Sequence, residues 1–339
     1  MYANTRCFHA VSLETTALKR DRPAKERGRV TMATALLTHA DCLTHETPPG
    51  HPEQVARLEH VLHALAGLDL VRVTAPLAAE DDILRAHPAT YLADLRRALP
   101  TEGRRALDAD TWMSAGSLDA AFRAVGAAVR AVDMVLAGDV QNAFCATRPP
   151  GHHAETDTPM GFCLFGTAAL AAKHALDHHG LKRVAVVDFD VHHGNGTQDL
   201  LWDERRALVI SSHQMPLWPG SGNSDDDGAY DNVMNLPLRP ETGGDEMRQI
   251  YQTQAFARLR AFKPELIILS AGFDAHREDP LAQLNWKTDD FRWLTSELCL
   301  LAQELCQGRI VSTLEGGYDL NALADAAKAH VEELIKAAT

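Results

Sequence analysis

Positive charge is short in this chain: 33 Lys and Arg stand against 46 Asp and Glu, a formal net charge of −13 over 339 residues. A surface of that sign repels phosphate backbones, which argues against direct binding of nucleic acid. It mildly attracts amine-bearing ligands, although an acidic balance is common in cytosolic proteins. Cysteine is sparse: Cys7, Cys42, Cys145, Cys163, Cys299 and Cys306 form no Cys-x-x-Cys pair, and several lie inside apolar runs. That is the pattern of buried free thiols in a reducing, cytoplasmic compartment rather than of a disulfide framework. No run approaches the roughly 20 apolar residues a membrane span requires, and Met1–Val30 lacks the compact apolar core of a secretory signal. Repeats, low-complexity tracts and linkers rich in Pro, Gly or Ser are absent too, so one domain is expected. With 45% hydrophobic residues the chain can bury a large α/β core.

The first residues are irregular, basic around Lys19–Arg29, and followed by Met32. We expect residues 1–31 to be a poorly ordered N-terminal extension and the domain to span 32–339, opening on a strand over Thr34–His39. Beyond it, short aliphatic runs (Ala143–Ala146, Val184–Val187, Leu208–Ile210, Leu266–Leu269, Ile310–Thr313) alternate with helical patterns (Leu118–Leu136, Thr167–His178, Glu246–Phe262, Asp289–Cys306). Strand, helix, strand in this rhythm implies crossover connections, hence an α/β fold with a mainly parallel central sheet between helical layers.

Open parallel sheets hold their sites beyond the carboxyl ends of the strands, and five runs here end in polar chemistry. They lead into Arg148-Pro149-Pro150-Gly151-His152-His153, Asp188-Phe189-Asp190-Val191-His192-His193-Gly194-Asn195, Ser211-Ser212-His213, Gly272-Phe273-Asp274 and Leu314-Glu315-Gly316-Gly317-Tyr318. In an extended segment alternate side chains share a face, so Asp188, Asp190 and His192 point the same way. Two of them can bind one metal while the third orients a neighbour. Adding Asp274 gives a two-carboxylate, one-histidine set with open coordination positions, which a catalytic metal needs for water and a carbonyl oxygen. A salt-bridged loop would explain Asp-x-Asp-x-His alone; it does not explain the other four strand ends.

In order and local spacing, Arg148–Glu155, Asp188–Thr197, Ala271–Asp274 and Leu314–Tyr318 resemble the histone deacetylase family, which includes acetylpolyamine amidohydrolases and bacterial acetoin-utilisation proteins. The likeness runs from about Thr34 to near the C-terminus. It implies the single-domain arginase/deacetylase-like fold; arginases themselves resemble the pattern more weakly. By the same resemblance, Asp190, His192 and Asp274 are the ligands of one zinc ion. His152 and His153 are tandem histidines beside the activated water, Asp188 is the carboxylate that holds His152, and Tyr318 is the hydroxyl that polarises the carbonyl. Asn195 stands where first-class deacetylases carry an aspartate to hold the second histidine, which makes the chain look like the second class and its bacterial relatives. Gly161, Phe162 and Trp218 are implied to wall a narrow channel for a lysine stem. The family usually has phenylalanine where Trp218 stands, which implies a tighter or shifted channel. Arg57 matches an arginine lining the family's inner cavity, and a potassium ion is implied at Asp188, Asp190, the His192 carbonyl and Ser211.

The activity implied is hydrolysis of acetyl or other short acyl groups from lysine side chains, with His153 moving the proton, His152 largely cationic, and Tyr318 donating to the oxyanion. Its partners are acylated lysine in proteins or peptides, or acetylated small amines; a homo-oligomer is compatible, and no nucleic acid or membrane is expected. Relatives preferring acetylpolyamines are associated with a glutamate after the Asp-Pro pair. Leu281 follows Asp279-Pro280 here, which favours peptide acyl-lysine. An inactive acyl-lysine-binding module would need a lost ligand, histidine or tyrosine, and all are present. His213 is expected behind the site, His276 and His51 near its mouth, and His39, His45, His60, His63, His174, His178, His179 and His330 as structural or solvated. Nothing before Met32 supplies a site residue. Deleting Met1–Thr31 is therefore expected to leave deacylation intact and stability within about 1 kcal/mol, read from turnover and Tm; a large fall in either would show that the segment packs on the domain.

Overall fold

Unbroken runs of Val, Ile, Leu and Ala suit a parallel strand covered on both faces. The computed structural model, which describes residues 32–339, builds them into one sheet; the expected extension, 1–31, lies outside the described residues. Strands β1 (Thr34–Thr38) and β2 (Val71–Thr74) come first, followed by an antiparallel pair, β3 (Arg104–Ala106) and β4 (Trp112–Ser114), outside the main sheet. Then come β5 (Asn142–Cys145), β6 (Val184–Asp188), β7 (Ala207–Gln214), β8 (Val233–Leu238), β9 (Leu266–Ala271) and β10 (Ile310–Leu314). The main sheet runs β2-β1-β5-β10-β9-β6-β7-β8, and every neighbouring pair is parallel. The single-domain parallel α/β architecture read from the sequence is the one the chain adopts.

The chain skips from β5 to β6, runs outward through β7 and β8, then returns to place β9 and β10 in the gap. The five strands whose ends carry polar motifs are thus five consecutive strands, β5-β10-β9-β6-β7. Reversal of strand order opens a crevice at the carboxyl edge, and the motifs that follow β5, β6, β9 and β10 lie there.

Alternation along the strands divides the core. In β6, Ala185 and Val187 pack with Phe273, Phe291 and Leu323 on one face, whereas Val184 and Val186 pack with Ala127, Ala131 and Ala171 on the other. The first face is covered by helices Ala56–Ala64, Thr288–Cys306 and Leu320–Ala337, and the second by Ser117–Ala137 and Thr167–Asp177. Helix Leu320–Ala337 starts directly after the Gly-Gly-Tyr loop. Its cap is Asp319, whose side chain accepts from the backbone N–H of Asn321 and Ala322, an arrangement worth about 1 kcal/mol that also anchors the preceding Tyr318.

Two expectations need correction. Ser211-Ser212-His213 lies inside β7, which continues to Gln214, rather than beyond its end. The helix expected over Glu246–Phe262 is Gly244–Ile250 and Phe256–Phe262 joined by a π-helical turn at Tyr251–Ala255. The wider turn puts both Tyr251 and Phe256 into the core, and the Tyr251 hydroxyl pairs with Ser212 Oγ at 2.6 Å. No helix among the described residues is long and apolar enough to cross a membrane.

Candidate active site

Past Asp188 the chain stays extended enough for side chains to alternate. Phe189 and Val191 enter the core, and Asp188, Asp190 and His192 take the opposite side. Backbone donors from two loops, those after β6 and β10, fix the carboxylates. Asp190 Oδ1 accepts from His192 N–H at 2.9 Å, its Oδ2 accepts from Gly316 N–H at 2.8 Å, and Asp274 Oδ1 accepts from Val191 N–H at 2.8 Å. Asp190, His192 and Asp274 then offer one donor atom each within 4.8 Å of one another. His192 Nδ1 stands 3.1 Å from Asp190 Oδ1 and from Asp274 Oδ2; three donors about 2.0 Å from one tetrahedral zinc would stand about 3.3 Å apart. A Cβ on Gly316 would press on both carboxylates, so this loop position has room only for glycine.

The charge balance fits a cation. Asp190 and Asp274 are fully buried, and among the described residues their only ion-pair partners are imidazoles. Burial, then the neighbouring Asp190, pushes the Asp274 carboxyl up to about 6. A divalent ion among the three groups reverses that pressure.

The tandem histidines sit on the loop after β5, held by Glu315, whose Oε2 accepts from the Gly151 and His152 backbone N–H groups at 2.7 and 3.1 Å. His152 Nδ1 donates to Asp188 Oδ2 at 2.9 Å, and its Nε2 lies 3.7 Å from Asp190 Oδ2. Burial opposes charge on His152, but the Asp190 and Asp188 carboxylates outweigh it and hold its pKa well above the usual value. His153 has the opposite surroundings. Asn195 Nδ2 donates to Glu155 Oε1 at 2.7 Å, so its Oδ1 is the atom facing His153 Nδ1 at 2.7 Å. His153 therefore carries its proton on Nδ1, leaving Nε2 as a lone pair. Burial, then the neighbouring imidazoles of His152 and His192, hold its pKa well below the usual value. One ring is cationic and the other is a neutral base.

Tyr318 closes the far side. Its backbone N–H donates to Asp279 Oδ2 at 2.7 Å, and burial raises its phenol well above the ordinary value, so it stays a donor. Arg57 is fully buried, stands 4.8 Å over the Tyr318 ring, and donates to the carbonyls of Gly317 and Glu315 at 2.6 and 2.5 Å. Its remaining partner is Glu53, which also takes a two-pronged contact from Arg148 at 2.5 and 2.6 Å.

A cleft of about 340 Å³ leads down to these groups, lined among others by His51, Asp110, His153, Gly161, Phe162, His192, Trp218, Leu281 and Tyr318. Trp218 is T-stacked on His153 at 4.7 Å and Phe162 on Tyr318 at 5.8 Å. The fold therefore brings together every residue named for catalysis, metal and channel. Asp188 and Ser211 are register partners across β6 and β7. His276 is elsewhere: it stacks on Phe291 and is not part of the cleft lining. His213 is buried behind the site, bonded to Ser211 Oγ and the Gly222 carbonyl, and pushed down to about 3 by burial, then by His193.

Sequence reasoning missed Glu53, Asp110 and Asp279, and gave Glu315 no role beyond its motif. Asp279 precedes Pro280 beside Leu281 and could have been found with that motif; Glu53 stands four residues before its partner Arg57, a spacing visible in the sequence, whereas its pairing with the remote Arg148 leaves no local trace.

A buried donor set, an asymmetric histidine pair and a phenol thus meet at the foot of an aromatic cleft. A family profile described as the histone deacetylase domain matches residues 51–334. The chain is 39% identical to the histone deacetylase-like amidohydrolase of Pseudomonas aeruginosa, over 84% of this chain and 76% of that one. It is 35% identical to a probable deacetylase of Archaeoglobus fulgidus, over 85% and 82%. The crystal structure of the HDA15 HD domain superposes with a TM-score of 0.85 at 30% identity, covering 90% of this chain and 89% of that one. The chain belongs to the histone deacetylase family.

The histidine asymmetry has a pH signature. Asn195→Asp puts a carboxylate against His153 Nδ1 and raises its pKa. With the neutral ring as the proton acceptor, the acidic limb of the kcat/KM profile is expected to move up by about one pH unit or more. An unmoved limb would show that this limb does not report His153.

Proposed function

We propose that the chain is a zinc-dependent deacylase removing acetyl or other short acyl groups from lysine side chains of proteins or peptides. The observation that carries this reading is the convergence of Asp190, His192 and Asp274 at the foot of the cleft, with His153 and Tyr318 on either side. Zinc, when bound, supplies Lewis acidity and a water acidified from about 16 to about 7. The aromatic faces of Phe162 and Trp218 hold an aliphatic stem and keep the amide dry. The Nε2 lone pair of His153 takes the proton of the attacking water and later gives it to the leaving amine. His152, locked to Asp188, contributes positive charge without moving a proton. Tyr318, kept protonated by burial, donates to the carbonyl oxygen as negative charge develops there. Arg57 and Asp279 hold the Tyr318 loop. The pairing of Asp188 with Ser211 supports a potassium site made with Asp190 and His192, and the buried unpaired cysteines support a reducing, cytoplasmic setting.

Tyr318→Phe removes one donor and keeps the ring. Turnover on an acetyl-lysine peptide is expected to fall about 100-fold, with Tm and zinc content retained. An unchanged rate would mean that another group polarises the carbonyl.

One observation favours a second reading. Asp110 lines the mouth and could meet the secondary ammonium of an acetylpolyamine. Leu281, on the same cleft, offers no charge and favours peptide substrates. Leu281→Glu is expected to raise the acetylspermidine-to-acetyl-lysine ratio of kcat/KM about tenfold, about 1.4 kcal/mol of differential transition-state binding. A wild type already preferring acetylspermidine, or a ratio that does not move, would make the polyamine reading the leading one.

A further inference from the structure

Helix Thr167–Asp177 ends in histidines that the catalytic reading leaves unused. His174 and His178 are four residues apart and share a helix face, their rings stacked at 4.8 Å with an interplanar angle of 11°. His179 folds back past the helix end, its ring 5.2 Å from that of His174 and 4.9 Å from that of His178. From helix Ser117–Ala137 comes Asp133, whose Oδ1 stands 2.8 Å from Nε2 of both His174 and His179. The four residues offer one donor atom each within 4.8 Å of one another.

Hydrogen bonding alone leaves this cluster incomplete. Asp133 has only imidazoles as ion-pair partners among the described residues. His174 is 4% exposed, and its Nδ1 is buried without a hydrogen-bond partner. If Nε2 spends the proton on Asp133, Nδ1 is a stranded lone pair, which costs about 1–3 kcal/mol. A metal on Nε2 moves that proton to Nδ1, which faces the Asp82 carboxylate at 3.9 Å. A ligating imidazole whose second nitrogen points at an outer carboxylate is the usual support of a metal-bound histidine.

We propose that Asp133, His174, His178 and His179 form a second metal site, taking a divalent transition ion that favours imidazole, such as zinc. Four protein ligands close a tetrahedral shell, so the site is structural rather than catalytic. Both helices reach it just before they feed β5 and β6, so it lies at the amino edge of the sheet, away from the catalytic cleft. There it ties the end of one helix to its neighbour. The exposed His178 gives the ion access from solvent.

Zinc content and Tm of the full chain test this. The protein is stripped with a chelator, refilled with zinc, desalted and analysed for metal per chain. Two zinc ions are expected in the wild type, and one in His178→Ala/His179→Ala, with deacylation unchanged. In Asp190→Ala the remaining ion should still raise Tm, and adding the two histidine substitutions should abolish that rise. A wild type holding a single zinc that Asp190→Ala loses would overturn the proposal. So would a second zinc retained by the double histidine variant.

Discussion

Four carboxylates, Asp188, Asp190, Asp274 and Glu315, are buried at the carboxyl edge of the sheet, and no lysine or arginine among the described residues is in ion-pair contact with them. An uncompensated buried carboxylate costs several kcal/mol. Compensation here comes from the backbone N–H groups of Gly151, His152, Asp190, Val191, His192 and Gly316, and from the imidazoles. Those donors belong to loops after different strands. Neutralising the carboxylates and closing the loops around the site are therefore one event, and Asp190, His192 and Asp274 keep a donor set that could hold a metal ion.

The arginines serve a separate balance. Arg57 is spent on Glu53 and on the Gly317 and Glu315 carbonyls of the Tyr318 loop, and Arg148 on Glu53 and on the Cys42 and His45 carbonyls. Both guanidiniums pair with Glu53, and neither is in ion-pair contact with the carboxylate cluster. The same economy divides the histidines. A carboxylate beside His152 keeps it charged, whereas the Asn195 amide beside His153 fixes its tautomer and leaves it neutral. The outcome is a cationic ring next to a neutral one, built from two consecutive residues.

What could be read in the sequence follows from how locally each feature is encoded. Central strands announce themselves because both faces are buried, as in β6 and β9. Edge strands do not: Val71–Thr74 is mostly exposed, and Val233–Leu238 is broken by Asn235 and Pro237. The π turn at Tyr251–Ala255 is invisible because its residues are ordinary helix formers, and the core on either side decides the turn. At the site, Asp-x-Asp-x-His and the Gly-Gly-Tyr loop are local patterns with mechanical meaning. The Glu53–Arg148 pair and the meeting of Asp133 with the histidines of another helix are long-range Coulombic events that leave no periodic trace.

On the proposed mechanism, amide hydrolysis depends on an ion held by Asp190, His192 and Asp274. Acetate release from an acetyl-lysine peptide tests it directly, measured on the chain stripped of metal and on the same sample after zinc is returned. No turnover is expected in the stripped protein, with recovery on adding zinc to the wild type but not to Asp274→Ala. Full turnover by the stripped protein in the presence of a chelator would contradict it.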